Sequence, residues 1–377
     1  MREYKDALLD HKFNGAPFTV GIEEELMLLD AETLDLSQGI EAVLPLVPAG
    51  RESQVKHELF QSVLEIATVP HKGVDSAVQE LAELRSVVSA IAAQLGMRVG
   101  AAGTHPFALC DEQLIVDRER YVELVADLGF IARRELIFGT HVHVGIDGAD
   151  KAIYVADGIR RYLPVLLALS SNSPYWEGED TGMMSARIPI FRAFPRVGVP
   201  PHYGSWEVYS GRVDQMTRSG AIDDYTYLWW DVRPHPNLGT VETRIFDQAS
   251  MLEDTAAFAA ITQALSHSFS ELFDEGEPMI EQPWELIDDN KVRAALRGME
   301  GELVDFSRGR HVAATELAER LLVELASSAG ELGCSAELGR IATIVEDGTG
   351  ARRQLEAVAA NGGDLRALVA ELIVIDE

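Results

Sequence analysis

The stretch Phe18-Thr19-Val20-Gly21-Ile22-Glu23-Glu24-Glu25-Leu26-Met27-Leu28-Leu29 decides how the chain folds. Apolar residues flank three consecutive glutamates, and a turn is expected at Asp30. On a β-strand, residues two apart point to the same side. Glu23 and Glu25 therefore share one face, with Ile22, Glu24 and Leu26 on the other. Two carboxylates side by side repel unless a positive charge lies between them. A hard divalent cation with oxygen ligands supplies it, and magnesium fits best. The bland alternative is a solvated edge strand, for which FTVGI and LMLL are too apolar.

The next extended region runs from Val55 to Val69, VKHELFQSVLEIATV, and stops at Pro70. It embeds Glu58 and Glu65 among apolar residues. Seven apart on one straight strand, they would face opposite ways. A turn or bulge near Gln61–Ser62 is needed to bring both inward; otherwise one of them is structural.

The rest of the chain alternates. Val74, Val78, Leu81, Leu84, Val88, Ile91 and Leu95 recur at helical spacing and predict a long helix. Ser76 and Gln79 are placed for a capping box at its start, and Gly96 for a stop. Met97–Gly103 and His141–Ile146 read as strands. Arg118–Glu135 and Lys151–Ser170 read as helices, the second bent or split by Pro164. Tyr225–Arg233 and Thr240–Phe246 read as strands, and Glu253–Phe273 and most of Trp284–Leu372 as helices. These elements predict an α+β fold around one sheet.

Composition narrows the function. Hydrophobic residues make up 47% and charged residues 25%, which excludes a disordered or fibrous chain. The longest uncharged stretch, Tyr162–Trp176, is too short and too polar to cross a bilayer. Residues 1–13 lack the apolar core of a signal peptide. Two cysteines, Cys110 and Cys334, cannot build a disulfide framework and fit a cytoplasmic, reducing compartment. The 61 acids against 32 bases leave a net charge of −29, which repels nucleic acid and anionic membrane. An anionic substrate must then be held through bound cations or local arginines. G-x-x-x-x-G-K-[ST], G-x-G-x-x-G and G-x-S-x-G are all missing, so a nucleotide would not rest on a glycine-rich loop.

Three further constellations carry chemistry. Gly139-Thr140-His141-Val142-His143-Val144-Gly145 puts two imidazoles on one strand face. That spacing serves metal ligands and hydrogen-bonded core pairs alike. Thr240-Val241-Glu242-Thr243-Arg244-Ile245-Phe246 puts Glu242 and Arg244 on one face. They form either a cross-strand ion pair or a metal carboxylate beside an arginine that grips phosphate. Between Asn172 and Ser205 no period is visible, and Arg187, Arg192 and Arg196 fall within ten residues among Phe and Pro. A loop of this length is usually functional. It is expected either to be a mobile cationic lid over an anionic substrate or simply to neutralise nearby acids.

In this order and spacing, Gly-Ile-Glu23-Glu24-Glu25, Glu58-(x)6-Glu65 closing on Pro70, Gly-Thr-His141-Val-His143, the Ser185-Ala-Arg187 to Pro200-Pro201 loop and Val-Glu242-Thr-Arg244 resemble one family. It is the YbdK-type carboxylate–amine ligases, also labelled glutamate–cysteine ligase type 2. The resemblance spans about residues 17–270 of a single domain, 1–377, whose helical C-terminal part covers about 271–377. It implies a glutamine-synthetase-like ligase fold, a mainly antiparallel curved sheet flanked by helices that holds ATP and magnesium. Glu23, Glu25, Glu58, Glu65, His141 and Glu242 are the implied metal ligands, and Arg244 the phosphate ligand. Arg187 is expected at the reacting groups, and Arg192 and Arg196 at ATP; His143 has no assigned role. The implied reaction activates a glutamate carboxylate as an acyl phosphate, which an amine such as cysteine converts to an amide, releasing ADP and phosphate. The implied oligomer is a homodimer. The competing readings are a metal-dependent hydrolase, in which His202, His235 or His267 completes a site begun by His141 and His143, and a non-catalytic nucleotide-binding relative.

Overall fold

The computed structural model describes residues 9–374. The reading of the N-terminal stretch as free of a signal peptide falls largely on residues 1–8, outside the described residues. Val20–Asp30 (β1) ends where Asp30 Oδ1 accepts the backbone N–H groups of Glu32 and Thr33, at 3.0 and 2.8 Å. It is joined by Val55–His57 (β2), Val63–Ala67 (β3), Met97–Gly100 (β4), Gly139–Gly145 (β5), Val232–His235 (β6) and Thr240–Asp247 (β7). The seven strands form one antiparallel sheet in the order β6-β7-β5-β1-β3-β2, with β4 pairing to the far half of β1.

The longer helices are Val74–Gln94 (α1), Glu119–Leu128 (α2), Ala149–Ile159 (α3), Leu163–Ser170 (α4), Trp206–Arg218 (α5), Leu252–Asp274 (α6), Trp284–Arg297 (α7), Ala314–Leu332 (α8), Ser335–Asp347 (α9) and Gly350–Ala360 (α10). The alternation along β1 decides which of them meets which face. Val20, Ile22, Leu26 and Leu28 share an apolar cluster with Leu81, Leu84 and Val88 of α1 and with Phe258, Ile261 and Leu265 of α6. Each such fully buried side chain is worth roughly 1.5–3 kcal/mol. On the opposite face Met27 and Leu29 pack with Phe60, Phe138 and Leu368. That second cluster covers only one half of the face. The half carrying Glu23 and Glu25 is left open.

Several boundaries differ from the sequence expectations. The capping box at α1 does not form: Gly73 is the N-cap, and Ser76 Oγ donates to its carbonyl at 3.0 Å. The strand begun at Met97 stops at Gly100. The helix expected over Arg118–Glu135 breaks at Gly129, whose φ of +53° suits glycine, so that α2 is followed by a single turn, Phe130–Arg133. Pro164 does split the helix, but from the first turn of α4, where its missing N–H costs nothing. Tyr225–Tyr227 is a 3₁₀ turn, and β6 begins only at Val232. The sequence expectations lack helix α5, although Trp206, Tyr209 and Val213, its buried apolar residues, keep helical spacing. Nor was the hairpin of Glu302–Asp305 and Arg310–Ala313, set among the C-terminal helices. Among the described residues, no helix is long and apolar enough to cross a membrane.

Candidate active site

The open half of the sheet carries a continuous row of charged side chains, because directly paired residues point the same way. Glu23 sits opposite His141 of β5, and Glu25 opposite Glu65 of β3. Glu65 in turn faces Lys56 of β2. On the other side, His143 faces Glu242 of β7, which faces Arg233 of β6. The chain turns between β2 and β3, with Gln61 and Ser62 in the turn, as the expected bend requires. It thereby brings Glu58 to the same cleft as Glu65. That cleft encloses about 700 Å³ and is lined by Glu23, Glu25, Glu58, Glu65, His141 and Arg244, among others. Its size falls within the roughly 300–1,000 Å³ of small-molecule sites.

The contacts inside the row are close. His141 Nδ1 lies 3.4 Å from Glu23 Oε2 and 3.4 Å from Arg244 Nη1. His143 holds Thr240 Oγ1 with Nδ1 at 3.0 Å, while its Nε2 lies 3.7 Å from Glu23 and 3.9 Å from Glu242. Glu25 accepts the Gly139 N–H at 2.5 Å, and Lys56 donates to Glu65 at 2.6 Å. Glu242 accepts from Arg233 Nε at 2.7 Å and from Arg244 Nη1.

These neighbours split the acids into two groups. Burial works against the charge of Glu23, but His143 and His141 beside it outweigh burial and hold its carboxyl well below the usual range. Burial is likewise overcome at Glu242 by Arg233, Arg244 and His143. At Glu25 burial wins over Arg187 and Arg244 and raises the carboxyl to about 7. Burial, with Glu65 and Glu25 nearby, lifts Glu58 well above the usual range, and burial and Glu23 also raise Glu65. The imidazoles diverge too. Burial and Arg244 push His141 down to about 4, whereas at His143 the attraction of Glu242 and Glu23 overcomes burial and raises it.

The donor set fits a divalent cation. Nε2 of both His141 and His143 is buried without a hydrogen-bond partner. Glu23, His143 and Glu242 offer ligand atoms within 4.8 Å of one another. Burial and mutual repulsion raise Glu25, Glu58 and Glu65 even with Lys56 on Glu65 and Arg187 and Arg244 near Glu25, so further positive charge would be favoured there, and carboxylate oxygens are what magnesium takes. His143, left without a role by the sequence, thus stands among the best-placed donors. Glu242, in contrast, is already engaged by two arginines.

The arginines of the irregular segment part company. Arg187 is buried, beginning a short helix, Arg187–Phe191. Its Nη2 donates to the Arg244 carbonyl at 3.3 Å, its Nη1 to the Ile245 carbonyl at 3.4 Å, and its Nε has no partner. A Cβ on Gly139 would come within 2.4 Å of Arg187 Nη2, so only glycine admits this packing. Arg192 instead pairs with Asp288 at 2.7 Å. Arg196 donates to the Tyr227 carbonyl at 3.1 Å and lies over the Trp229 ring. Neither is among the cleft-lining residues, whereas Phe191 and Phe194 of the same segment are. The segment is a packed wall, not a strip of cations facing the cleft. Of the histidines considered for a hydrolase, His235 lines the cleft, His202 pairs with Asp157 at 3.1 Å, and His267 packs on Phe18.

Glu135 and Arg233 also line the cleft and escaped the sequence reading. Burial pushes Glu135 up to about 8. Its setting in ARREL, next to two arginines, looks like a solvated helix end. Arg233 could have been found from its place two residues before His235, on the strand preceding Glu242.

The sequence matches the family described as Glutamate-cysteine ligase family 2 over residues 19–371. A protein of Rubrobacter xylanophilus named "Putative glutamate--cysteine ligase 2-1" is 41% identical over 97% of this chain and 96% of its own length. A Sorangium cellulosum protein named "Putative glutamate--cysteine ligase 2" is 42% identical over 94% of this chain and 95% of its own. Among solved structures, the glutamate–cysteine ligase of Francisella tularensis in complex with AMP has a TM-score of 0.67 at 14% identity, covering 97% of this chain and 89% of that one. A bifunctional glutathione synthetase from Pasteurella multocida has a TM-score of 0.68 at 17% identity, covering 94% of this chain and 52% of that one. The fold is thus the glutamine-synthetase-like ligase fold that the sequence motifs imply.

Proposed function

The chain belongs to glutamate–cysteine ligase family 2, and from that premise we propose that it joins the side-chain carboxylate of glutamate to an amine, cysteine being the first candidate. It is an ATP-dependent carboxylate–amine ligase. The observation that carries the finer reading is the row of Glu25, Glu23, His141, His143, Glu242 and Arg244 across one face of the sheet. Such a row suits a polyphosphate presented with its cations and suits a protein nucleophile poorly.

Glu23, Glu25, Glu58, Glu65, His141 and Glu242 would hold magnesium, with His143 in reach of the same group. When bound, magnesium cancels phosphate charge and polarises the transferred phosphoryl group. Arg244 offers a forked pair of donors to phosphate oxygens. Arg187, buried behind Gly139 and facing Asp247 at 4.0 Å, is not among the cleft-lining residues and would add positive charge to the site only at longer range. Phe191 and Phe194 wall the cleft and keep water from the activated carboxylate. The glutamate carboxylate attacks the γ-phosphorus and ADP leaves. The amine nitrogen then attacks the acyl carbonyl, phosphate departs, and the nitrogen loses its proton to leave the amide. The proposal extends to one domain performing both half-reactions, and to a cytoplasmic homodimer. Both cysteines, free and buried, agree with a reducing compartment.

The test is ADP release with glutamate and a panel of amines, with and without magnesium. Release that requires glutamate, one amine and magnesium together is expected. Amide bond cleavage without ATP would overturn it.

A further inference from the structure

We infer that Lys291, on helix α7 of the C-terminal part, is a positioning residue that aims Arg244 into the cleft through Asp231. The inference rests on the proposed contact between Arg244 and the substrate phosphates.

β7 does not run smoothly past Arg244. Its pairing with β5 shifts register between Thr243 and Phe246, so Arg244 lies at an irregularity that the regular ladder does not hold. Other groups hold it. Its backbone N–H donates to the carbonyl of Asp231 at 2.8 Å. Its own carbonyl accepts from Arg187 Nη2 at 3.3 Å. Asp231 is fixed in turn: its N–H donates to the Gly198 carbonyl at 2.9 Å, and its carboxylate accepts from Lys291 Nζ at 2.5 Å. Asp231 is 2% exposed and Lys291 3% exposed. Next to the ammonium runs Gly198, with φ of +102°; a Cβ there would lie 3.8 Å from Nζ.

A buried ion pair of this kind is weak evidence for stability, because desolvation offsets most of the attraction. Its geometric role is better defined. It ties α7, the Gly198 turn and the Asp231 peptide to the bulge from which the Arg244 guanidinium reaches Glu242 and His141. With the ammonium gone, the Asp231 carboxylate must find another partner, and its peptide moves with it. The peptide that orients Arg244 then moves as well. A shift of an ångström or less suffices to spoil a two-pronged contact.

The experiment is a double-mutant cycle on ADP release with glutamate, the accepted amine, ATP and magnesium, with melting temperatures measured in parallel. Lys291→Met should lower kcat/KM at least about ten-fold in the native background. In the Arg244→Lys background, where the fork is already lost, the same change should cost less than about two-fold. Should Lys291→Met fail to fold, Asp231→Asn, which keeps the carbonyl and loses the charge, replaces it in the cycle. Losses that multiply fully would show that Lys291 acts on the fold at large and overturn the inference. If Arg244→Lys itself turns over normally, the proposed phosphate contact fails, and the positioning role with it. A damaged Arg244→Lys with multiplying losses removes the positioning role alone.

Discussion

Glu23 and Glu24, adjacent on β1, serve opposite layers of the protein. Glu23 faces His141 and His143 in the cleft. Glu24 is buried among the helices, where Arg85 of α1 grips it with Nε and Nη2, each at 2.6 Å, and Thr255 of α6 donates to it at 2.8 Å. One carboxylate has chemistry within reach, and the other bolts two helices to the sheet.

Glutamine substitutions should separate those roles. Glu23→Gln and Glu25→Gln should melt close to the native protein and lose ADP release. Glu24→Gln strands a buried guanidinium and should cost about 3–5 kcal/mol of stability, while what remains folded keeps its affinity for ATP. Melting curves and steady-state kinetics on the three variants decide this. Equal loss of activity at equal stability in all three would refute the assignment of faces.

At Arg244, lysine keeps the charge and loses the fork. Arg244→Lys is expected to turn over at least ten-fold slower, about 1.4 kcal/mol or more in the barrier. Normal kinetics would reduce Arg244 to an ion-pair partner of Glu242.

Metal binding should depend on pH in a fixed direction. Glu25 at about 7 and Glu135 at about 8 are raised by burial from 4.5. Without metal, these two groups hold protons in the folded state that the unfolded state has released, so their contribution to stability falls as pH climbs through 7 and 8, whereas His141 and His235, lowered to about 4, act in the opposite sense only up to about 6.5. Glu23 and Glu242, which are lowered, act in the opposite sense, but only below the ordinary carboxylate range. A cation among the acids removes the penalty. Magnesium should raise the melting temperature more at about pH 8 than at about pH 6. The same rise at both, in a protein shown to bind the ion, would mean that these carboxylates do not hold it.

The route of an oxygen atom tests the reaction type. Glutamate labelled with heavy oxygen in its side-chain carboxylate should pass one labelled atom to inorganic phosphate for each amide formed, with ADP as the other product. Labelled AMP together with pyrophosphate would establish an adenylate route instead.

How much of this was legible depended on the kind of signal. Period-two alternation placed Glu23 and Glu25 on one face, and a conflict of parity between Glu58 and Glu65 called for the turn found at Gln61–Ser62. Both are local patterns. The fate of Arg187, Arg192 and Arg196 is not local: equivalent in sequence, they are separated by Asp288 on α7 and Tyr227 near β6, residues about 30 to 100 positions away. Glu135 is hidden for the same reason, since the charged residues that share its cavity, Glu25, Glu58, Arg187 and Arg244, are distant in sequence. Helix α5 had its period but too few apolar residues to stand out.

The strict alternation of β1 makes the site sensitive to residue count more than to residue identity. Inserting or deleting one residue between Phe18 and Glu23 would reverse the parity of everything after it. The cleft acids would be driven into the apolar layer under α1 and α6, and Glu24 would leave Arg85 for the cleft. A pair of insertions restores the parity and displaces the acids only along the strand. A mutant library in this segment must hold the length from Phe18 to Asp30 fixed.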